Sequence, residues 1–249
     1  MKISVVTAVY NRASTIGHTI DSVASQSYSD AEHIIIDGGS RDGTLDVIER
    51  SQNARMIVRS EPDKGIYDAL NKGIERAKGD IIGVLHSDDL FAGPGVLEKI
   101  AQLFDDPSLD AVYADAAFFN PGKPGKIVRR YDSSRFTPEK IAGGWIPAHT
   151  TLFLRRRVFE RFGLYRIDYK IAADFEFIAR IFSSGTLKAV YVPEVWVQMQ
   201  MGGISTGGLQ SKILLNREVM RACRENNIRT NYAKILSKYP AKLFDYLKR

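Results

Sequence analysis

Little in the sequence would cross-link the chain or hold it in a membrane. The single cysteine, Cys223, cannot form an intrachain disulfide. No apolar run approaches the roughly 18 residues that a membrane-spanning helix needs. The segment that begins at Met1 lacks the basic, apolar and small-residue succession of a secretory signal. We therefore expect a soluble protein in a reducing cytoplasm.

Repeats, low-complexity segments and Pro/Gly/Ser linkers are absent too. A chain of 249 residues has room for one large domain with a small appendage, which excludes a multidomain machine. Its 44% hydrophobic and 26% charged residues are ordinary for a globular protein. We predict one domain over residues 1–228, followed by a tail over residues 229–249.

Positive charge is concentrated in the tail. The formal net charge is +6, and residues 229–249 hold six basic residues against a single acid, so the rest of the chain is nearly neutral. This distribution argues against a nucleic-acid groove spread over the fold. From Tyr232 to Arg249 the pattern is that of a basic amphipathic helix interrupted at Pro240. Such a helix either lies on an anionic membrane or packs on the body or on a second subunit.

Short runs rich in Ile and Val alternate with segments of helical spacing, which is typical of parallel βαβ units. The predicted strands are Ile3–Val9, His33–Ile36, Met56–Arg59, Asp80–Leu85, Ala111–Tyr113, Ile127–Tyr131, Ala189–Val192 and Trp196–Met201. The predicted helices are Ile16–Ser25, with Ser14 as its N-cap, Leu45–Arg50, Ala69–Ala77, Val96–Phe104, Arg157–Phe162 and Asp174–Ser183. We predict an α/β fold with a Rossmann-like, mostly parallel central sheet flanked by helices.

Polar residues follow the predicted strands, at the edge of a parallel sheet where ligands collect. Asp37 and Asp63 each precede glycines, so each fits a simple turn as well as a ligand contact. Asp88 and Asp89 are adjacent carboxylates, and a divalent cation with phosphate oxygens is the usual relief for their repulsion. Acids at successive strand ends indicate one cleft.

These motifs resemble those of the inverting family 2 glycosyltransferases, which have the GT-A fold. The likeness covers roughly residues 1–205 and is strongest over the first hundred. The residues that carry it are Ser4–Arg12 (SVVTAVYNR), Asp37–Thr44 (DGGSRDGT), Asp63–Gly73 (DKGIYDALNKG) and His86–Asp89 (HSDD).

The resemblance implies a nucleotide-sugar-binding half over residues 1–115, with UDP expected ahead of GDP or dTDP, and a smaller acceptor and catalytic half over residues 116–228. The implied nucleotide-sugar contacts are Thr7, Val9, Asn11, Arg12, Asp37, Gly39, Asp63, Lys64, Asp68 and Asp88. It also implies that Asp88 or Asp89 coordinates Mn²⁺ or Mg²⁺ on the diphosphate, whose departure creates negative charge that a cation offsets. Because the motif reads His-Ser-Asp-Asp, both carboxylates remain candidates for direct coordination.

Family members remove the proton of the acceptor hydroxyl with an acid at a helix start, and the matching residue here is Asp174. Spacing alone favours an N-terminal cap for this acid. An Asp is a competent general base, worth about 10²- to 10⁴-fold, if its pocket raises its pKa. Ala173 stands where the family usually has a second acid, which leaves Glu176 as a weaker substitute.

Two further segments are expected at the site, one on its acceptor side and one beside the diphosphate. Trp145 and His149 offer an aromatic face and an imidazole to a sugar, although Trp145 equally fits the core. The glycine-rich segment 201–208 either presents N–H groups to the diphosphate or is a linker.

We therefore expect a metal-dependent inverting glycosyltransferase that transfers one sugar to a glycan or lipid-linked acceptor in bacterial polysaccharide biosynthesis. It would act in the cytoplasm, at the inner face of the membrane if the tail binds there. The processive-synthase signature Gln-x-x-Arg-Trp is absent. A sugar-phosphate nucleotidylyltransferase or a dehydrogenase would have a glycine motif after the first strand, where this chain has Tyr10-Asn11-Arg12-Ala13. A non-enzymatic basic module that binds membrane or nucleic acid is the remaining alternative.

Overall fold

The computed structural model describes residues 1–202 and 208–237, whose strands form a single nine-stranded sheet. The strands are β1 (Ile3–Val9), β2 (Ala31–Asp37), β3 (Met56–Ser60), β4 (Ile81–Val84), β5 (Leu90–Phe91), β6 (Ala111–Phe119), β7 (Ile127–Tyr131), β8 (Phe153–Arg155) and β9 (Ala189–Gln200). The helices are α1 (Ile16–Ala24), α2 (Thr44–Arg50), α3 (Ile66–Arg76), α4 (Val96–Leu103), α5 (Arg156–Phe162), α6 (Ala173–Ser183), α7 (Gly208–Glu225) and α8 (Tyr232–Leu236).

The first half of the sheet is parallel, as predicted. Strands β3, β2, β1 and β4 are neighbours in that order, and Val6 of β1 lies in register between Ile34 and Val84. Alternate residues of β1 join different core clusters, Val6 on one face and Val5 on the other. Both faces are therefore covered, which explains why these strands are continuous Ile and Val runs.

The second half of the sheet mixes directions. Strand β8 pairs antiparallel with both β4 and β6, β6 pairs parallel with β9, and β7 and β5 lie antiparallel to β6 and β9. The sequence pattern predicted that this strand ends at Tyr113, but β6 continues to Phe119. It can do so because the buried Asp115 carboxylate has hydrogen-bond partners. The Asp115 carboxylate accepts hydrogen bonds from Arg130 at 2.7 Å and from the Tyr191 hydroxyl at 3.0 Å.

Several predicted boundaries shift in the structure. The N-cap of α1 is Thr15 rather than Ser14, because the N–H groups of Thr15 and Ile16 both donate to the carbonyl of Arg12. Helix α3 begins three residues earlier than predicted, and the two strands predicted in 189–201 are one strand, β9. Strands β5 and β8 were not predicted, and neither were the bounds of helix α7.

The described part of the tail packs on the body of the protein. Asn231 caps α8 by accepting the N–H of Lys234 at 2.9 Å, and Ile235 is fully buried in the larger core cluster. Residues 232–236 therefore agree with the alternative in which the tail helix packs on the body of the protein. The remainder of the tail, with Pro240, lies outside the described residues. Among the helices that are described, none combines the length and apolar character that crossing a bilayer requires.

A glycine at the junction of the two halves gives a stability prediction. Gly83 of β4 is the register partner of Phe153 in β8, and a Cβ at Gly83 would lie 2.2 Å from the Phe153 ring. Because Phe153 is itself packed against Phe91 and Trp196, it has little room to move. We expect Gly83→Ala to lower the free energy of unfolding by about 1–3 kcal/mol in urea titrations.

The matched control is Gly93→Ala. A Cβ at Gly93 meets nothing within 4 Å, so this variant should stay within about 0.5 kcal/mol of the parent. Equal stability of the two variants would show that β4 and β8 are not in close contact at this point.

Candidate active site

A cavity of about 200 Å³, here called the first cavity, lies where the end of β1 meets the segment after β4 and the start of α6. Two cations, Arg12 and Lys170, lie on its wall. The other lining residues are Ala8, Ile66, Tyr67, His86, Ser87, Asp88, His149, Ile171 and Asp174. The first cavity thus brings a strand end, the predicted metal motif and the predicted base together, and its two cations suit an anionic ligand.

A larger cavity of about 630 Å³, the second cavity, adjoins the first. Four residues, His86, Asp88, His149 and Asp174, line both cavities and form what we call the shared wall. Beyond that wall the second cavity is lined mainly by β6, β7, β9 and residues 146–150. Two ligands placed in the two cavities would therefore meet at the shared wall.

The two adjacent acids after β4 differ in exposure. Asp89 is only 3% exposed, and its carboxylate accepts the N–H of Gln200 at 3.2 Å. Burial, reinforced by the charge of Asp88, holds the pKa of Asp89 well above its usual range. Asp88 is half-buried and lines both cavities as well as a third one, of about 220 Å³, beside Thr15. Asp88 is thus the more accessible carboxylate.

The donor atoms near Asp88 fit a divalent cation that is shared with a ligand. In residues 1–202 and 208–237 no group of three or more His, Cys, Asp or Glu side chains is arranged to hold a metal alone. His86, next to Asp88 on the shared wall, has a buried Nδ1 with no hydrogen-bond partner. One carboxylate leaves coordination positions for phosphate oxygens, which is how nucleotide-bound Mg²⁺ is commonly held. The His86 nitrogen offers one further lone pair to a cation that accepts nitrogen ligands.

Asp174 is the second residue of α6 and lines both cavities, whereas the N-cap of this helix is Ala172. Its Oδ1 accepts the N–H of Phe175 at 2.8 Å in the first turn of α6, and the Tyr67 hydroxyl lies 3.4 Å from the same oxygen. Tyr67 itself donates to the carbonyl of Ile171 at 2.6 Å. Among the described residues Oδ2 has no hydrogen-bond partner, so one oxygen is held in place while the other is free to contact a ligand. Burial raises the pKa of Asp174.

The two histidines of the shared wall are neutral at physiological pH. Their rings lie 5.7 Å apart, and burial lowers the pKa of each to about 4. For His86, the nearby His149 lowers the pKa further. His149 Nε2 is 2.7 Å from the Tyr165 hydroxyl, which fixes its ring. Neutral imidazoles beside the acids offer hydrogen bonds or lone pairs without adding charge.

Several sequence-predicted nucleotide contacts are used inside the fold instead. Thr7 is fully buried and bonds to His33 and to the carbonyl of Leu85, and Val9 is in the core with Ile16. Neither side chain lines the first cavity. Of the β1 motif, the structure brings Ala8 and Arg12 to the cavity.

The second motif forms a turn. Asp37 is fully buried, and its carboxylate accepts the N–H groups of Gly39 and Ser40 and the hydroxyl of Ser60 at 2.7 Å. The side chain of Asn11 accepts the N–H of Arg41 at 2.9 Å. These bonds agree with the alternative in which Asp37 belongs to a simple turn. The Asp37 carboxylate lines neither cavity.

The third motif organises the start of α3. Asp63 accepts the N–H of Gly65 at 2.8 Å, and Asp68 accepts the N–H of Lys64 at 3.0 Å and pairs with Lys72. These two acids lie outside the cavities, whereas Ile66 and Tyr67, which stand between them in the sequence, line the first cavity. The acids of this motif therefore position the lining residues.

The structure places two of the residues predicted for the acceptor side, Glu176 and Trp145, outside both cavities. Glu176 is 2% exposed and forms an ion pair with Arg180 at 2.9 Å, so it points away from the shared wall and does not substitute for Asp174. Trp145 is half-buried, and Ile146, the next residue, lines the second cavity in its place. Residues 203–207 of the predicted glycine-rich segment lie outside the described residues.

Three residues that line the second cavity were not predicted from the sequence. Phe118, Arg129 and Tyr131 come from β6 and β7 and form one side of it. They belong to no local motif, and only the pairing of the two strands brings them together.

Comparison with known proteins identifies the family. The model of Glycosyl transferase family 2 matches residues 4–163, well over half of the chain. An uncharacterized glycosyltransferase of Mycobacterium tuberculosis is 34% identical over 180 residues, which are 72% of this chain and 68% of that protein. A PGL/p-HBAD biosynthesis glycosyltransferase of Mycobacterium bovis is 29% identical over 212 residues, 81% of this chain and 78% of the relative.

Solved structures agree on the fold. The Staphylococcus aureus TarS fragment 1–349 in complex with UDP-GlcNAc has a TM-score of 0.74 at 20% identity, over 94% of this chain and 69% of that one. A mannosyltransferase of Pyrobaculum calidifontis in complex with GDP-Man and Mn²⁺ has a TM-score of 0.64 at 20% identity, over 88% of this chain and 64% of that one. The architecture is therefore that of a GT-A glycosyltransferase, as predicted. The chain belongs to glycosyl transferase family 2.

The raised pKa of Asp174 gives a prediction about stability and pH. Burial favours the neutral carboxyl in the folded state, so the stability contributed by this group falls as pH rises from the unfolded pKa, about 4, towards the folded pKa. Asp174→Asn removes the charge and keeps an acceptor for the Phe175 N–H. We expect thermal unfolding to show a variant that is more stable than the parent at about pH 8 and nearly equal to it at about pH 4.

Asp168→Asn is a control for which the opposite effect of pH on stability is expected. The exposed Asp168 pairs with Arg166 and Arg221, which lower its pKa. Its stabilising contribution is present above the unfolded pKa and is lost as pH falls. This variant should be the less stable one at neutral pH. If Asp174→Asn also destabilises the protein there, the carboxyl at position 174 is not a buried acid.

Proposed function

We propose that this glycosyltransferase transfers a single sugar, with inversion, from a UDP-sugar in the first cavity to a glycan or lipid-linked acceptor in the second. The observation that carries the proposal is the shared wall, on which Asp88 and Asp174 line both cavities. A departing diphosphate near Asp88 and an attacking hydroxyl near Asp174 would then act on one sugar. The TarS complex with UDP-GlcNAc supports UDP as the carrier.

Asp174 would accept the proton of the acceptor hydroxyl. The hydroxyl oxygen attacks the anomeric carbon, the bond from that carbon to the diphosphate oxygen breaks, and the proton passes to Oδ2 of Asp174. A single displacement of this kind inverts the anomeric centre. Tyr67 and the Phe175 N–H hold Oδ1, so the free oxygen keeps one orientation. The raised pKa of Asp174 suits a general base that works near neutral pH.

Asp88, with His86 and with Asp89 beneath it, would hold a divalent cation of the Mn²⁺ or Mg²⁺ type. Such a cation, when bound, offsets the negative charge that develops on the departing diphosphate. Arg12 and Lys170 of the first cavity add positive charge on the same side of the shared wall. The Mn²⁺ complex of the Pyrobaculum mannosyltransferase supports this assignment.

The biological setting follows from the named relatives. These include the PGL/p-HBAD biosynthesis enzyme and a chondroitin synthase of Pasteurella multocida, which is 33% identical over 62% of this chain and 16% of the synthase. We place this protein in polysaccharide or glycolipid assembly, acting in the cytoplasm. The basic residues after α8, from Lys238 onward, would bring it to the anionic inner face of the membrane.

Asp174→Asn tests the base. Without a proton acceptor, kcat for sugar transfer should fall by about 10²- to 10⁴-fold. UDP affinity in the presence of Mn²⁺ should stay within about twofold, because Asp174 is not among the residues proposed to hold the cation. The measurements are release of UDP from a panel of UDP-sugars with acceptors, and calorimetry with UDP.

Glu176→Gln is the matched control on the same helix. It breaks the ion pair with Arg180, so it should reduce stability and leave kcat close to that of the parent. A wild-type rate for Asp174→Asn, or a larger kcat loss for Glu176→Gln, would remove Asp174 from the mechanism.

Asp88→Asn tests the cation site. The more accessible carboxylate should contribute most to the ion, so this variant should lose at least about tenfold in Mn²⁺-dependent UDP affinity, with metal-free UDP affinity unchanged. Calorimetry with UDP, with and without Mn²⁺, measures both. The comparison variant is Asp89→Asn. If Asp89→Asn abolishes the Mn²⁺ dependence and Asp88→Asn does not, the buried acid is the ligand instead.

A further inference from the structure

Helix α6, which carries Asp174, begins without a side-chain cap. Its N-cap is Ala172, which has no oxygen in its side chain to accept a hydrogen bond as Ser or Asp would. The direction in which the chain enters α6 is therefore not set by a local cap. Because Asp174 is the second residue of the helix, the position of its carboxylate depends on that direction.

The segment that leads into α6, residues 170–172, is held by Glu218 of α7. The Glu218 carboxylate accepts three consecutive backbone N–H groups, those of Lys170 at 2.8 Å and of Ile171 and Ala172 at 2.9 Å each. One carboxylate oxygen takes the first N–H and the other oxygen takes the next two. Hydrogen bonds to a carboxylate are among the stronger ones in proteins, so three of them together fix the backbone of this segment.

These three bonds also account for the burial of Glu218. Its side chain belongs to a residue that is 7% exposed. Within residues 1–202 and 208–237 no cationic side chain lies within ion-pair distance of it, and the three N–H groups are its hydrogen-bond partners. Burial of a carboxylate is unfavourable unless several donors compensate it. The side chain is thus placed to meet the backbone of residues 170–172.

The peptide groups of this segment are connected to Asp174 through Tyr67. The N–H of Ile171 donates to Glu218, and the carbonyl of Ile171 accepts the Tyr67 hydroxyl at 2.6 Å. The same hydroxyl lies 3.4 Å from Oδ1 of Asp174. A displacement of residue 171 would therefore move both the start of α6 and the hydroxyl that faces the Asp174 carboxylate.

Helix α7 contacts the same loop at a second point, which offers a comparison. Glu225, seven residues after Glu218, accepts the Tyr169 hydroxyl at 2.6 Å and pairs with Arg166 at 2.8 Å. The Glu225 side chain is 33% exposed, and both of its partners here are side chains. This contact stabilises the packing of the loop on α7 and leaves the backbone that enters α6 to Glu218.

We infer that Glu218 is a positioning residue for sugar transfer, which holds the backbone of residues 170–172 so that Asp174 faces the acceptor hydroxyl. Glu218 lines neither cavity, so it acts through Asp174 and not on a substrate. This inference rests on the proposed function, since it requires Asp174 to accept the proton of the acceptor.

Glu218→Gln is the first test. It keeps the size of the side chain and replaces one acceptor oxygen by an NH₂ group, which cannot accept an N–H. We expect kcat for sugar transfer to fall by about tenfold to a hundredfold, because a small misplacement of a catalytic group has an effect of this size. The KM for the acceptor, and UDP affinity in the presence of Mn²⁺, should stay within about twofold. UDP release and calorimetry with UDP are the measurements.

The matched control is Glu225→Gln on the same helix. It should lower the temperature of thermal unfolding and leave kcat within about twofold of the parent. A kcat for Glu218→Gln that equals the parent's, or equal losses of kcat in the two variants, would overturn the inference.

A double-mutant cycle separates a positioning role from a general loss of structure. If Glu218 acts through Asp174, adding Glu218→Gln to Asp174→Asn should change kcat by no more than about twofold, because the group that it positions is already absent. Losses that multiply in the double variant would show that Glu218 affects the rate by another route, and would overturn the inference.

Glu218→Asp is the conservative variant. It restores two acceptor oxygens on a shorter side chain, so it should recover part of the kcat that Glu218→Gln loses. If thermal unfolding shows that Glu218→Gln is not folded, the same cycle is carried out with Glu218→Asp. A loss of at least about threefold in kcat that disappears in the Asp174→Asn background would then support the inference, and any other result would overturn it.

The failures of the two proposals are distinguishable. If Asp174→Asn transfers sugar at the rate of the parent, the proposed base is wrong and the inference fails with it. If Asp174→Asn loses transfer as expected while Glu218→Gln keeps the parent's kcat, only the present inference fails.

Discussion

The architecture depends on keeping three carboxylates, Asp88, Asp89 and Asp174, close together at the junction of two cavities. Acids in such a place repel one another and lose hydration, so a small protein tolerates them only if the surrounding frame is rigid. The frame here is the parallel half of the sheet, which is buried on both faces, and α6, whose first turn fixes Asp174. Cations and hydrogen-bond donors, from bound ligands and from nearby side chains, offset the repulsion among these carboxylates.

The junction of the two halves explains how one cleft can serve two ligands. Strand β8 lies between β4 and β6 and pairs antiparallel with both, so the metal motif after β4 is joined directly to the strands of the second cavity. The close contact of Gly83 with Phe153 holds this junction together. The two cavities proposed for the donor and the acceptor are thereby built on one sheet and share a wall, rather than lying in two domains that must close on each other.

Much of the first half could be predicted from the sequence, because buried parallel strands are continuous Ile and Val runs and the bounds of β1 were confirmed as predicted. The placement of Asp88 and Asp174 on one cleft also followed from motifs. Motifs could not show which side chains face the cleft: Thr7 and Asp37 belong to recognisable segments, yet their polar atoms satisfy the backbone and neighbouring side chains. Arg129 carried no local signal, since its exposure to the second cavity depends on the tertiary pairing of β6 with β7.

One bond described above links the protonation of an acid to the position of a strand. Gln200, the last residue of β9, donates its N–H to Asp89, and a hydrogen bond to an ionised carboxylate is stronger than one to a neutral carboxyl. Whatever ionises Asp89 therefore tightens the end of β9, and by thermodynamic reciprocity whatever tightens that end favours ionisation. Met199 and Gln200 line the second cavity. Ionisation of Asp89, which a cation in the proposed site would favour, is consequently coupled to the order of the end of β9 through a single amide proton.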